Sequence, residues 1–123
     1  MSQSILVADD EPSILLSLQF LLQKAGYAVR VARNGDEVLQ AVAEAVPDLI
    51  ILDAMMPARS GYDVCQALRG EARCRDVPII MLTAKGRDID REKGMALGAS
   101  DYVTKPFSTR ELVETVRRWL ATP

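Results

Sequence analysis

The side chains of this chain that could do chemistry share one position: each stands directly after a short apolar run. "ILVA" (5–8) ends in Asp9 and Asp10, "LIIL" (49–52) in Asp53, "IIML" (79–82) in Thr83, and "DYVT" (101–104) in Lys105 and Pro106. Brought together, three carboxylates, a hydroxyl and an ammonium would form an oxygen-rich, anionic site. Crowded carboxylates raise each other's pKa and cost stability unless a cation neutralises them. Neither Cys65 nor Cys74 is near these positions and the chain has no histidine, so the ligands would be oxygens, which suit a hard ion such as Mg²⁺. The lack of histidine also excludes an internal imidazole base or phosphoryl carrier and leaves carboxylates, hydroxyls and lysines to act. Singly, each residue has a duller reading: Asp10 or Ser13 could cap a helix, Asp53 could start a turn, and Lys105 could be a loop lysine.

The elements that would position these residues alternate. The runs at 5–8, 49–52 and 79–82 are apolar throughout, as strands covered on both faces must be. "YAVRVA" (27–32) alternates around Arg30 and "DYVT" is half polar, so both read as edge strands. Ile14, Leu15, Leu18, Leu21, Leu22 and Ala25 share one helical face, with Gly26 placed for a left-handed cap. Asn34 with Glu37, and Ser108 with Glu111, match the capping box and predict helices from Gly35 and Thr109. The last helix is expected to turn Leu112, Val113, Val116, Trp119 and Leu120 inward, and the chain stops soon after, leaving little for a second domain. A weaker helix is expected over about Asp88 to Leu97, with only Ile89, Met95 or Ala96, and Leu97 to bury, hence loosely held and available to move.

Five strands alternating with five helices predict an α/β fold, a doubly wound parallel sheet. Edges at the second and fifth strands match the common order 2-1-3-4-5, a flavodoxin-like three-layer sandwich. In such sheets the site lies outside the carboxyl ends of the strands, beside the switch point between strands 1 and 3, where Asp9, Asp10, Asp53, Thr83 and Lys105 would meet.

Composition excludes more than it proposes. The 123 residues are 49% hydrophobic and 26% charged, ordinary for one globular domain. Fifteen basic and 17 acidic residues, spread evenly, offer no basic stripe for nucleic acid. No stretch resembles a signal peptide or a membrane span, so a cytoplasmic location is the expectation. Two cysteines without paired spacing read as packed thiols.

The strand-end motifs resemble the receiver domain of two-component response regulators. They are "DDEP" after the first strand, "ILDAMMPARSG" around Asp53, "LTA" at 82–84 and "GASDYVTKPF" at 98–107, and the match runs from Ile5 to Leu120, implying one receiver domain over 1–123. By that resemblance Asp53 is the phosphoacceptor. Asp9, Asp10, Asp53 and the Met55 backbone carbonyl would hold Mg²⁺, with Asp9 acting mostly through water. Thr83, Ala84 and Lys105 would contact the phosphate, with Thr83 and Tyr102 rearranging as a switch. Pro106 resembles the family's cis peptide, and Gly61 a backbone device closing the loop after the acceptor. The implied partners are a histidine kinase or histidine phosphotransfer protein and a downstream target or output domain, reached through the face of helix 4, strand 5 and helix 5. A homodimer through that face is also considered. Met55 and Lys85 would flank the path of an attacking water and set the phosphate's lifetime.

Rival readings fit less well. A phosphohydrolase of the haloacid dehalogenase class needs a second aspartate two residues past the nucleophile, where Met55 stands. A flavin module would place its phosphate against Asp9 and Asp10, which repel it. A scaffold that never receives phosphate would have no use for the whole set.

Overall fold

The computed structural model describes residues 3–57, 59–84 and 88–121, with the side chains of 88–91 left out. The elements run β1 (Ser4–Ala8), α1 (Pro12–Lys24), β2 (Ala28–Ala32), α2 (Gly35–Glu44), β3 (Leu49–Asp53), α3 (Gly61–Arg69), a 3-10 turn (Ala72–Cys74), β4 (Ile79–Ala84), α4 (Asp88–Ala96), β5 (Asp101–Lys105) and α5 (Thr109–Leu120). All strand pairings are parallel and the order is β2-β1-β3-β4-β5, as expected for a flavodoxin-like doubly wound sheet.

Strand alternation divides the core in two. Ile5, Val7, Leu49, Ile51, Ile80 and Leu82 face α1 and α5, while Leu6, Ala8, Ile50, Leu52, Ile79 and Met81 face α2 and α3. Every residue from Ile5 to Ala8 and from Leu49 to Leu52 is fully buried, which is why those runs carry no polar side chain until they leave the sheet. On edge strand β2, Arg30 donates to the carbonyls of Ala41 and Ala45, closing the C-terminal end of α2.

The helix ends follow local chemistry. Gly26 takes a φ of 104° after α1, where an L side chain would be strained. Asn34 Oδ1 accepts from the Glu37 amide at 2.9 Å, and Ser108 Oγ from the Glu111 amide at 2.9 Å. Ser60 caps α3 in the same way through the Asp63 amide. At α1, neither Asp10 nor Ser13 caps: Glu11 occupies the cap position without a side-chain bond, and Pro12 opens the helix.

Two burial expectations are corrected. Trp119 is not turned inward but remains 39% exposed, because its indole N–H needs an acceptor and finds Asp101 Oδ2, 2.8 Å away at the rim of edge strand β5. Thr115 is buried beside Val116 instead, its hydroxyl satisfied by the Glu111 carbonyl. In α4, Met95 and Ala96 are exposed and, among the described side chains, Gly94 is the buried position, while Leu97, just past the helix, packs half-buried on the core; Ile89 lies among the side chains outside the description. Cys65 and Cys74 are buried free thiols, and burial pushes both pKa values up.

Candidate functional site

At the carboxyl edge of the sheet, β1 releases Asp9 and Asp10 and β3 ends in Asp53. Their carboxylates each bring an oxygen to within 4.8 Å of the others. β5 delivers Lys105, whose Nζ donates to Asp9 Oδ2 at 2.9 Å and lies 3.5 Å from Asp53 Oδ1. Asp9 is fully buried and Asp53 only 5% exposed, whereas Asp10 is exposed. Asp9 Oδ1 accepts from the Glu11 amide, and Asp53 Oδ1 from the Met55 amide at 3.2 Å, so each buried carboxylate is aimed by the backbone two residues on.

Three carboxylates facing one ammonium give the site, when all are ionised, an excess of two negative charges. The protein responds by resisting ionisation at its centre: burial raises the Asp53 pKa from 3.8 to about 6, with the charges of Asp9 and Asp10 adding to the rise and the Met55 amide and Lys105 opposing it. Burial works to lower the Lys105 pKa, but the hydrogen bond to Asp9 and the charges of Asp53, Asp9 and Glu11 outweigh it and the pKa rises. Lys105 is therefore a fixed cation at neutral pH. An all-oxygen donor set with this residual charge fits a hard divalent ion.

Thr83 is buried at the end of β4, paired with Thr104, and Ala84 is exposed opposite Lys105. Tyr102 pairs with Met81, is half-buried, and packs on the α2–α3 side of the core, the sheet face to which strand alternation also assigns Thr83. The Met55 side chain is 60% exposed two residues past Asp53, whereas Lys85 lies outside the described residues. The Lys105–Pro106 peptide bond is cis. A Cβ on Gly61 would run into the Asp53 carbonyl oxygen, and the Gly61 amide donates to the Ala54 carbonyl at 3.1 Å, so only glycine lets the loop close this tightly behind Asp53.

Two features were not foreseen from sequence. An apolar cleft of about 380 Å³ opens beside Lys105, lined by Ile14, Ala84, Pro106 and Phe107. Arg59, in the loop after Asp53, pairs with Asp36 on α2 at 3.0 Å, and its side chain fills the space that a Cβ on Gly35 would need. Neither is periodic or contiguous in sequence, so no local signal announces them.

Residues 5–117 match the family model of the response regulator receiver domain. Among solved structures, a chain from Chloroflexus aurantiacus described as a response regulator is 37% identical over 99% of this chain and 100% of its own, with a TM-score of 0.95. The chemotaxis response regulator CheY4 of Vibrio cholerae is 34% identical over 98% of this chain and 100% of its own, TM-score 0.93. The receiver domain of a sensor histidine kinase from Pseudomonas aeruginosa, determined with a magnesium ion coordinated in its active-site cleft, is 31% identical over 99% and 100% of the two chains, TM-score 0.91.

Proposed function

The chain belongs to the response regulator receiver domain family, regulatory phosphoacceptors of two-component signalling rather than turnover enzymes, and from that premise we propose that Asp53 is its acceptor. The supporting observation is the cluster itself: oxygens of Asp9, Asp10 and Asp53 within 4.8 Å of one another, with Lys105 reaching both buried members.

Both contacts to Asp53 fall on Oδ1. Oδ2 is then the attacking oxygen. Its lone pair forms the new O–P bond as the N–P bond of a phosphohistidine on the donor breaks, and the electron pair leaves with the imidazole nitrogen, which takes up a proton. Lys105 offsets charge on the transferring oxygens, and the Met55 amide keeps Oδ1 turned away from the attack. Asp9, Asp10, Asp53 and the Met55 carbonyl would hold Mg²⁺, which when bound supplies positive charge to the phosphoryl oxygens. Thr83 and Ala84 would contact the phosphoryl group once attached.

The donor is a histidine kinase or histidine phosphotransfer protein, and the domain is a single receiver unit working in the cytoplasm. In the described residues no helix is long and apolar enough to cross a membrane. With Met55 where a phosphohydrolase would place its second aspartate, and no histidine in the chain, hydrolysis of the acyl phosphate would be slow. Rearrangement of Thr83 and Tyr102 would carry the signal to the face of α4, β5 and α5, where a target, an output domain or a second copy would read it.

The test is intact-mass spectrometry after incubation with acetyl phosphate and Mg²⁺. One phosphoryl adduct on the wild type, absent from Asp53→Asn and from an EDTA control, is the expected result. An adduct that survives in Asp53→Asn would move the acceptor elsewhere.

A further inference from the structure

α4 is an odd helix. Of its described side chains Glu92, Lys93, Met95 and Ala96 are exposed, and only Gly94 is buried. Glycine inside a helix costs roughly 0.5–1 kcal/mol relative to alanine. Space does not demand it here, because a Cβ on Gly94 would sit 3.7 Å from Met81 Cε and Cγ and from Tyr62 Cε1, ordinary contact distances. Among its described side chains α4 thus carries a destabilising residue at its buried position, and what it meets there is Tyr62.

Tyr62 is 4% exposed and follows Gly61, the residue wedged against the Asp53 carbonyl and bonded to Ala54. Its ring lies under α4, with Lys93 Nζ 4.6 Å from the ring centroid, a distance at which the cation is drawn to the aromatic face. Met81, the other surface under Gly94, stands two residues before Thr83 on the same side of β4. One rigid ring therefore touches α4 from an element whose first residue is locked to the acceptor's own backbone.

We infer that Tyr62 is a positioning residue that couples the backbone behind Asp53 to α4, through Gly94 and Lys93, as a route additional to Thr83 and Tyr102. A shift of the Asp53–Ala54 backbone on phosphorylation passes through Gly61 to the first turn of α3 and moves the ring on which α4 rests. Gly94 keeps the seat loose enough for α4 to follow. This inference rests on Asp53 being the acceptor.

The experiment measures hydrogen exchange of the α4 amides 92–96 with and without acetyl phosphate and Mg²⁺, with adduct occupancy read by intact mass on the same samples. The proteins are wild type, Tyr62→Leu, Lys93→Met and Gly94→Ala. In wild type, phosphorylation changes α4 exchange by about fivefold or more, the lower end of ordinary coupling between sites. Tyr62→Leu and Lys93→Met accept the phosphoryl group but lose most of that response, while amides of β5 still respond. Gly94→Ala protects α4 before phosphorylation and flattens the response. Lys93 is exposed, so its variant reports even if Tyr62→Leu does not fold. Full α4 responses in Lys93→Met and in any folded Tyr62→Leu overturn the inference and leave Tyr62 as packing. Absence of an adduct on wild type instead fails the acceptor assignment, and the coupling falls with it.

Discussion

Lys105 Nζ donates to Asp9 Oδ2 across 2.9 Å, joining residues 96 positions apart in the chain and tying the end of edge strand β5 to the end of central strand β1. Asp9 is completely buried, and this ammonium is the cation paired with its carboxylate. The pair is at once a structural clasp and part of the electrostatic surroundings of Asp53.

Removing the cation should therefore cost stability before it affects chemistry. Lys105→Met is expected to destabilise the metal-free protein by about 2 kcal/mol, below the usual range for a broken buried pair because Lys105 retains some exposure. Urea unfolding at pH 7.5 measures it. A variant as stable as wild type would mean that Asp9 is compensated by other means.

Asp53→Asn should do the opposite, and only above a certain pH. The folded protein holds the Asp53 pKa at about 6, above its ordinary 3.8, so the charged form is disfavoured by folding. Stability associated with this group is fully present below about 3.8 and is lost as pH rises through about 6. Asparagine never ionises. Metal-free Asp53→Asn is expected to be more stable than wild type by about 1–2 kcal/mol at pH 8, with the gain gone by about pH 4. Paired denaturant titrations across that range check the sign.

Mg²⁺ and protons compete for the same carboxylate. Apparent Mg²⁺ affinity should be flat above pH 7 and fall by up to about tenfold per unit as pH drops below about 6, where Asp53 becomes protonated. Calorimetric titration at several pH values decides it; an unchanged affinity at pH 5 would remove Asp53 from the ligand set.

Gly61→Ala places a methyl group against the Asp53 carbonyl oxygen, a backbone atom that cannot step aside. A loss of about 2–3 kcal/mol is expected, as for an overpacked core site, together with slower phosphoryl uptake because the acceptor is displaced. Thermal unfolding and the adduct assay read the two effects separately.

Met55 is 60% exposed two residues past Asp53, the proposed acceptor. An apolar side chain there hinders an incoming water, whereas an amide could orient it, so Met55→Asn should shorten the phosphate's lifetime by roughly tenfold, less than a full general base would. The decay of the adduct mass after removal of acetyl phosphate gives the lifetimes directly.

Much of this protein is local in origin and legible in its sequence. Uniformly apolar runs at 5–8, 49–52 and 79–82, each between helical segments, read as strands covered on both sides, as they are, and the more polar β2 lies at an edge as expected, although its burial does not alternate: Arg30 is half-buried and Val31 exposed. The capping pairs at Asn34 and Ser108 and the left-handed Gly26 are likewise decided within a few residues. So is the placing of Asp9, Asp10, Asp53, Thr83 and Lys105 at strand ends. What only the tertiary structure decided is which partner each group meets. Trp119 lies on the inward side of its helix by period, yet stays at the rim because its N–H finds Asp101 there. Among the described side chains of α4, Gly94 rather than Met95 is the buried one, beside Tyr62 and Met81 from other elements. Asp53 acquires its raised pKa only when burial and two distant carboxylates surround it. Periodicity reports the average environment on each side of an element, whereas hydrogen-bond partners and charge neighbours depend on residues far away in the chain.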